Sequence, residues 1–215
     1  MEMPPPEPRP TWRGRIHLAA FALSIPAGLA LVLLSQGASA HVGAAIFAVS
    51  LAGLFGVSAI YHTGNWTPNV RARLRRMDHA MIFVLIAGSY TPITLLALQP
   101  AWGISLLAIV WTVAVIGVTL ALARFGALHR AGGYLYIGMG WIVVIALPAV
   151  VTSLSPSELA LLFAGGVLYT VGAIGLRLHR PNPRPLVFGY HEVWHAMTVA
   201  AAACHFTLVA MLVRA

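Results

Sequence analysis

Seven stretches of about twenty apolar residues, parted by short polar segments, constrain this chain more than any single motif. They fall at approximately 16–34, 42–62, 78–98, 101–122, 132–153, 158–177 and 187–213. At about 1.5 Å of rise per residue, a helix of this length crosses most or all of a hydrocarbon layer roughly 30 Å thick. In lipid the backbone must satisfy its own hydrogen bonds, so such runs fold as helices. The expected fold is an all-α membrane protein, a seven-transmembrane helix bundle over residues 16–213 with no soluble domain. Composition agrees, with 60% hydrophobic and 8% charged residues, against about 25% charged in a soluble domain. Residues 1–15 hold five Pro and three Arg and read as a disordered basic tail.

The net charge of +8 invites a nucleic-acid reading, but all 13 basic residues are Arg and they lie between the apolar runs. That is the pattern of membrane orientation, so no nucleic-acid partner is expected. Twelve of the 13 Arg fall in the tail or in the segments after runs two, four and six, and Arg214 alone lies on the other side. The positive-inside rule then places the N-terminus in the cytosol and the C-terminus outside, in the plasma (inner) membrane. Ala38-Ser39-Ala40 has the look of a signal-peptidase site. The preceding run, however, is longer than a signal core and contains Pro26, so a retained first helix is the expectation.

With this topology several ionisable groups share one depth. Run two ends in Ser58 and His62, run three begins with Asp78, and run seven begins with His191-Glu192-Val193-Trp194-His195. Imidazoles four residues apart lie on one helix face, where both can bind one metal ion. Ser58 precedes His62 by one turn on the same face. Ionisable groups in spanning segments are costly and usually functional. Three imidazoles from His62, His191 and His195 suit Zn²⁺ and leave a fourth tetrahedral position for water. Asp78 is then placed to hold that water and accept its proton, and Ser58 to hydrogen-bond the water or a substrate oxygen.

The motifs Ser58-x-x-x-His62, Arg76-Met-Asp78-His79, Ala87-Gly-Ser-Tyr-Thr-Pro92 and His191-x-x-x-His195, in that order, resemble those of the bacterial hemolysin III family. That family is related to the progestin and adipoQ receptors, which include the adiponectin receptors, and more distantly to the alkaline ceramidases. The resemblance covers nearly the whole chain. It implies seven helices with a cytosolic N-terminus, a zinc ion on His62, His191 and His195, Asp78 beside the bound water, and Ser58 in the family's Ser position.

Other polar residues receive plainer readings. Glu192 completes an H-E-x-x-H pattern, whose Glu is the general base of zinc proteases. Asp78 offers an alternative base, so Glu192 is expected at the cytosolic interface near the positive end of run seven. His79 points about 100° away from Asp78 and is expected to be structural. His205 lies about 15 Å beyond His195 along the helix, too far for the same metal. His17, His41, His129 and His179 are expected to be solvated, and Trp194 to serve packing or interfacial anchoring. Pro26, Pro92 and Pro148 mark kinks, Gly133, Gly138, Gly165 and Gly172 suit close helix packing, and Cys204 is alone and acts as a buried hydrophobe. Ser155 caps run six, with Glu158 at its positive end.

The function expected from these features is metal-dependent hydrolysis of a lipid amide or ester, with membrane lipids as substrate or ligand. The alternatives are a receptor or regulator with a structural zinc, a pore-forming hemolysin, and an intramembrane protease that would use Glu192. The Arg asymmetry makes a direct prediction. Reporter fusions at residue 1 and residue 215 should read cytosolic and external respectively, and a cytosolic C-terminal reporter would reverse the assignment.

Overall fold

The computed structural model of the chain describes residues 9–123 and 135–214. Among these residues the fold is all-helical, with seven helices long and apolar enough to span a membrane: α1 (Arg15–Leu33), α2 (Ala38–Thr63), α3 (Pro68–Leu96), α4 (Pro100–Leu122), α5 (Leu135–Ser153), α6 (Pro156–Leu178) and α7 (Tyr190–Leu212). Residues 1–8 of the expected tail, and Arg124, His129, Arg130 and Gly133, lie outside the described residues.

Local chemistry sets the helix starts. Helices α3, α4 and α6 each begin with Pro in the first turn, where the missing N–H is not needed. Ser155 caps α6 as expected, with its backbone N–H donating to Glu158 Oε2 at 2.7 Å. The largest departure from the sequence expectation is α3, which starts at Pro68 rather than at residue 78. Arg71, Arg73, Arg75 and Arg76 are therefore helical, not a loop. Arg is a good helix former, and Pro68 pre-sets the first turn, so the helix outruns the segment that hydropathy marks.

Packing divides between two apolar clusters. One gathers α1, α2 and α7 around Phe47, Leu51, Leu54 and Val209, and the other gathers α3 to α6 around Phe83, Val110, Met139 and Val150. Helix α3 serves both, through Leu85 in the first and Phe83, Ala87 and Ile93 in the second. Large apolar side chains such as Leu23, Leu33, Val49, Ile104 and Ile145 point outward, as the lipid-facing surface of a bundle should. Small residues permit the closest helix approaches. A Cβ on Gly43 of α2 would stand 3.0 Å from Pro92 Cα of α3. Helices α1 and α3 remain continuous through Pro26 and Pro92.

Helix α5 is broken, with a 3₁₀ segment at Ile142–Ala146 ahead of the stretch Leu147–Ser153 that contains Pro148. Tyr90 of α3 repairs the break. Its hydroxyl accepts the Val143 N–H at 2.9 Å and donates to Gly140 O at 2.8 Å. A freed backbone group inside a membrane bundle needs such a partner.

The tail expectation does not extend to residues 9–14. Thr11 and Trp12 donate backbone N–H groups to Leu186 O and Val187 O, and Arg9 Nη1 donates to Gly64 O. This short N-terminal strap lies across the segments that precede α3 and α7, at the Arg-rich end of the bundle.

Removing the Tyr90 hydroxyl while keeping the ring should leave the buried Val143 N–H unpaired. Tyr90→Phe is expected to destabilise the protein by about 1–3 kcal/mol, read as a lower unfolding midpoint in detergent. An unchanged midpoint would show that the break is held by other contacts.

Candidate metal centre

The site is assembled at the Arg-rich end from α2, α3, α7 and the start of α1. Glu192 fixes the first turn of α7. Its side chain has no exposed surface, its Oε2 accepts the Gly189 N–H at 2.9 Å, and its Oε1 forms an ion pair with Arg13 Nε of the strap. This overturns the expectation that Glu192 faces the interface. A carboxylate near the positive end of a helix, capping a backbone donor and paired with Arg, is held inward by its partners.

With α7 so anchored, His191 and His195 meet His62 at the end of α2. One nitrogen from each of the three imidazoles lies within 4.8 Å of the other two. His191 Nε2 and His62 Nε2 are 3.3 Å apart. The three rings stand edge to face, with centroids 4.6 to 4.9 Å apart. Two imidazole nitrogens bound tetrahedrally at about 2.0–2.1 Å would be about 3.3–3.4 Å apart, so the His62–His191 spacing fits an ion such as zinc. His62 and His195 are buried, and His191 is partly so.

The remaining predicted site residues share one cavity with this triad. Its volume is about 860 Å³, and its wall includes Ser58, Asp78 and all three His. Asp78 is not within ligand distance of the triad among the described residues, and it faces Ser58. Ser58 Oγ is buried and makes no hydrogen bond of good geometry. Deeper in the bundle the lining is mostly apolar, with Ile82, Ile86, Ile93, Leu106, Val150 and Leu162, interrupted by Ser89, Tyr169 and His205.

His17 is the residue that sequence reasoning missed. It was expected to be solvated, yet it is 3% exposed and stacks on His195, with centroids 3.8 Å apart and planes 9° from parallel. Neither of its ring nitrogens, nor His195 Nδ1, makes a hydrogen bond of good geometry. The strap and the start of α1 thus touch the centre three times: Arg13 on Glu192, Gly14 on His62, and His17 on His195. Gly14 has φ +76°, and a Cβ there would stand 2.8 Å from His62 Cβ, so glycine answers both the backbone angle and the close approach.

The other imidazoles stay outside the triad. His79 Nδ1 lies 2.6 Å from Arg75 O, and His205 Nε2 lies 3.3 Å from Leu162 O, deeper in the bundle. His41 and His179 are exposed, as expected.

Two substitution sets test the centre. His62→Ala, His191→Ala or His195→Ala should each reduce metal content well below the about one ion per chain expected for a single site, measured by elemental analysis of purified protein. Full retention after His62→Ala would remove that residue from the site. His17→Ala should weaken metal affinity by about tenfold, the low end for a residue that orients a ligand. His17→Phe, which keeps a ring against His195, should recover most of that loss.

Comparison with known proteins agrees with this architecture. A family model described as haemolysin-III related matches residues 7–206. Hemolysin-3 of Bacillus cereus is 34% identical over 196 residues, spanning 90% of this chain and 86% of that protein. The Hemolysin-3 homolog of Bacillus subtilis (strain 168) is 33% identical, spanning 90% and 89%. The human monocyte to macrophage differentiation factor is 27% identical over 175 residues, spanning 75% and 66%. With seven spanning helices, a buried His triad and a family match over nearly its full length, the chain is a multi-pass membrane protein that belongs to the haemolysin-III related family.

Proposed function

We propose that this protein is a metal-dependent hydrolase of a lipid amide or ester, acting at headgroup depth on the cytosolic side of the inner membrane. The observation that carries the reading is the three-imidazole cluster opening into an 860 Å³ cavity whose far wall is mostly apolar. One end suits a polar scissile group, and the other suits an acyl chain. Three neutral imidazoles fit zinc better than other common divalent ions.

A divalent ion held by His62, His191 and His195 supplies Lewis acidity to a carbonyl and to a water. The chain's own residues do the rest. Asp78 accepts a proton from the attacking water as its oxygen bonds to the carbonyl carbon. The same carboxyl delivers that proton to the leaving nitrogen or oxygen as the C–N or C–O bond breaks, giving a carboxylic acid and an amine or alcohol. Ser58 Oγ, buried beside Asp78, is placed to hold the water or the substrate oxygen. Glu192 is a poor candidate for the base, because its two oxygens already serve Gly189 N–H and Arg13.

A receptor or regulator with a structural ion is the second reading. A fourth direct ligand would favour it, but Asp78 stands outside ligand distance among the described residues. The pore reading needs a continuous polar path to the opposite end, where the cavity is lined mostly by apolar residues such as Ile93, Leu106, Val150 and Leu162.

Asp78→Asn should keep the metal and lower turnover by about 10²–10⁴-fold, the range for a general base. Glu192→Gln should lower stability while turnover per metal-loaded chain stays close to wild type. Activity lost with Glu192→Gln and kept with Asp78→Asn would reverse the two roles. Failure of metal-loaded wild type to cleave any of a panel of ceramides, acyl amides and phospholipids would turn the assignment toward the receptor reading.

A further inference from the structure

The positive-inside rule explains why Arg residues collect at one end of a membrane bundle, but not which way they face. In α3 they divide. Arg71 and Arg75, one turn apart, line the cavity, whereas Arg73 and Arg76 do not. Arg71, Arg75, Asp78, Ile82, Ser89 and Ile93 form one stripe at helical spacing along the cavity wall. From α6, Arg177 reaches the same mouth. Acid is scarce here. Of the described acids, Glu158 caps the start of α6, Glu192 is paired with Arg13, and Asp78 alone faces this cavity. The Arg71 guanidinium carbon lies 6.0 Å from the Tyr61 ring centroid.

The stripe reads as a ruler. Arg75 lies about 4.5 Å and Arg71 about 10.5 Å below Asp78 along the helix, and Ile93 lies about 22 Å above it. We propose that the cavity takes a single-chain acyl lipid whose leaving group carries a phosphate, held by Arg71 and Arg75 about 5–10 Å from the scissile carbonyl. The chain lies in the apolar part, the carbonyl at the level of Asp78 and the His triad, and the phosphate at the Arg-lined mouth. Guanidinium groups match phosphate oxygens in paired hydrogen bonds, which makes Arg the fitting residue for this position. The position of the carbonyl rests on the hydrolase reading above, whereas the choice of an anionic lipid rests on the mouth itself.

The test uses the full chain, metal-loaded, in phosphatidylcholine nanodiscs with a bound fluorescent acyl probe. Competitors are 1-acylglycerol 3-phosphate, the 1-acylglycerol of the same chain, and glycerol 3-phosphate, and each is also assayed for cleavage where it carries an ester. The acyl phosphate should displace the probe at about tenfold lower concentration than the acylglycerol, the factor expected from one charge-assisted contact. Arg71→Gln with Arg75→Gln should abolish that preference, while Arg73→Gln with Arg76→Gln should keep it. Equal displacement by the two lipids in wild type would overturn the proposal without need of any variant. Equal loss in both Arg pairs would overturn it in favour of general surface attraction. Displacement by glycerol 3-phosphate as strong as by the acyl phosphate would overturn the lipid assignment in favour of a soluble anion. Selective displacement without cleavage would leave anion recognition standing and remove the hydrolase reading, and cleavage without selectivity would do the reverse.

Discussion

A carboxylate with no exposed surface lies one residue from a candidate metal ligand, and the geometry of that end of the bundle depends on how its charge is met. Burying an ionised group in a low-dielectric interior costs several kcal/mol unless partners repay it. Glu192 finds them in the Gly189 N–H and the Arg13 guanidinium. The first fixes where α7 begins, and hence where His191 and His195 point. The second draws the N-terminal strap over the same helix, which brings Gly14 against His62 and His17 against His195. One buried charge thus ties together three segments that are far apart in sequence.

The rest of the bundle keeps a cavity open beside this anchored end. Two apolar clusters pack on either side, and α3 belongs to both. Its cavity-facing stripe changes from Arg through Asp78 to isoleucine, so a single helix grades the lining from charged to apolar. Across from it, α5 breaks into a 3₁₀ segment whose backbone is held by Tyr90, a residue that also lines the cavity. The cavity wall there is shaped by a side chain on the neighbouring helix rather than by regular helix geometry.

Much of this was legible from the sequence. The helix count follows from run length, because lipid leaves the backbone no alternative. The triad follows from the i, i+4 pair on run seven and from a shared depth with His62. Four features were not legible. His17 begins an apolar run on the same side as His191, so the depth argument that gathered the three imidazoles of the triad applied to it equally. Only the packing of α1 on α7 could show which way its ring turns. Glu192 was misplaced because a sequence shows a charge near a helix start but not the Arg13 that holds it inward. The start of α3 and the break in α5 escaped for opposite reasons. Hydropathy sees lipid-facing length and ignores a helix that continues into the Arg-rich region, and it sees one apolar run where Tyr90 and Pro148 support two shorter pieces.

The strap also sets an order of assembly. Arg13 and Glu192 are 179 residues apart, and His62 and His191 are 129 apart. During synthesis the N-terminal part of a chain emerges first. His62 therefore waits through the insertion of four helices, α3 to α6, before His191 exists, and Arg13 waits through all six that precede α7. A nascent chain that stops before α7 leaves Arg13 of the strap and His17 of α1 without their counterparts, and His62 as the lone imidazole of the triad. The three imidazoles therefore come together only in the finished chain, so the candidate metal site is the last part of the fold to be completed.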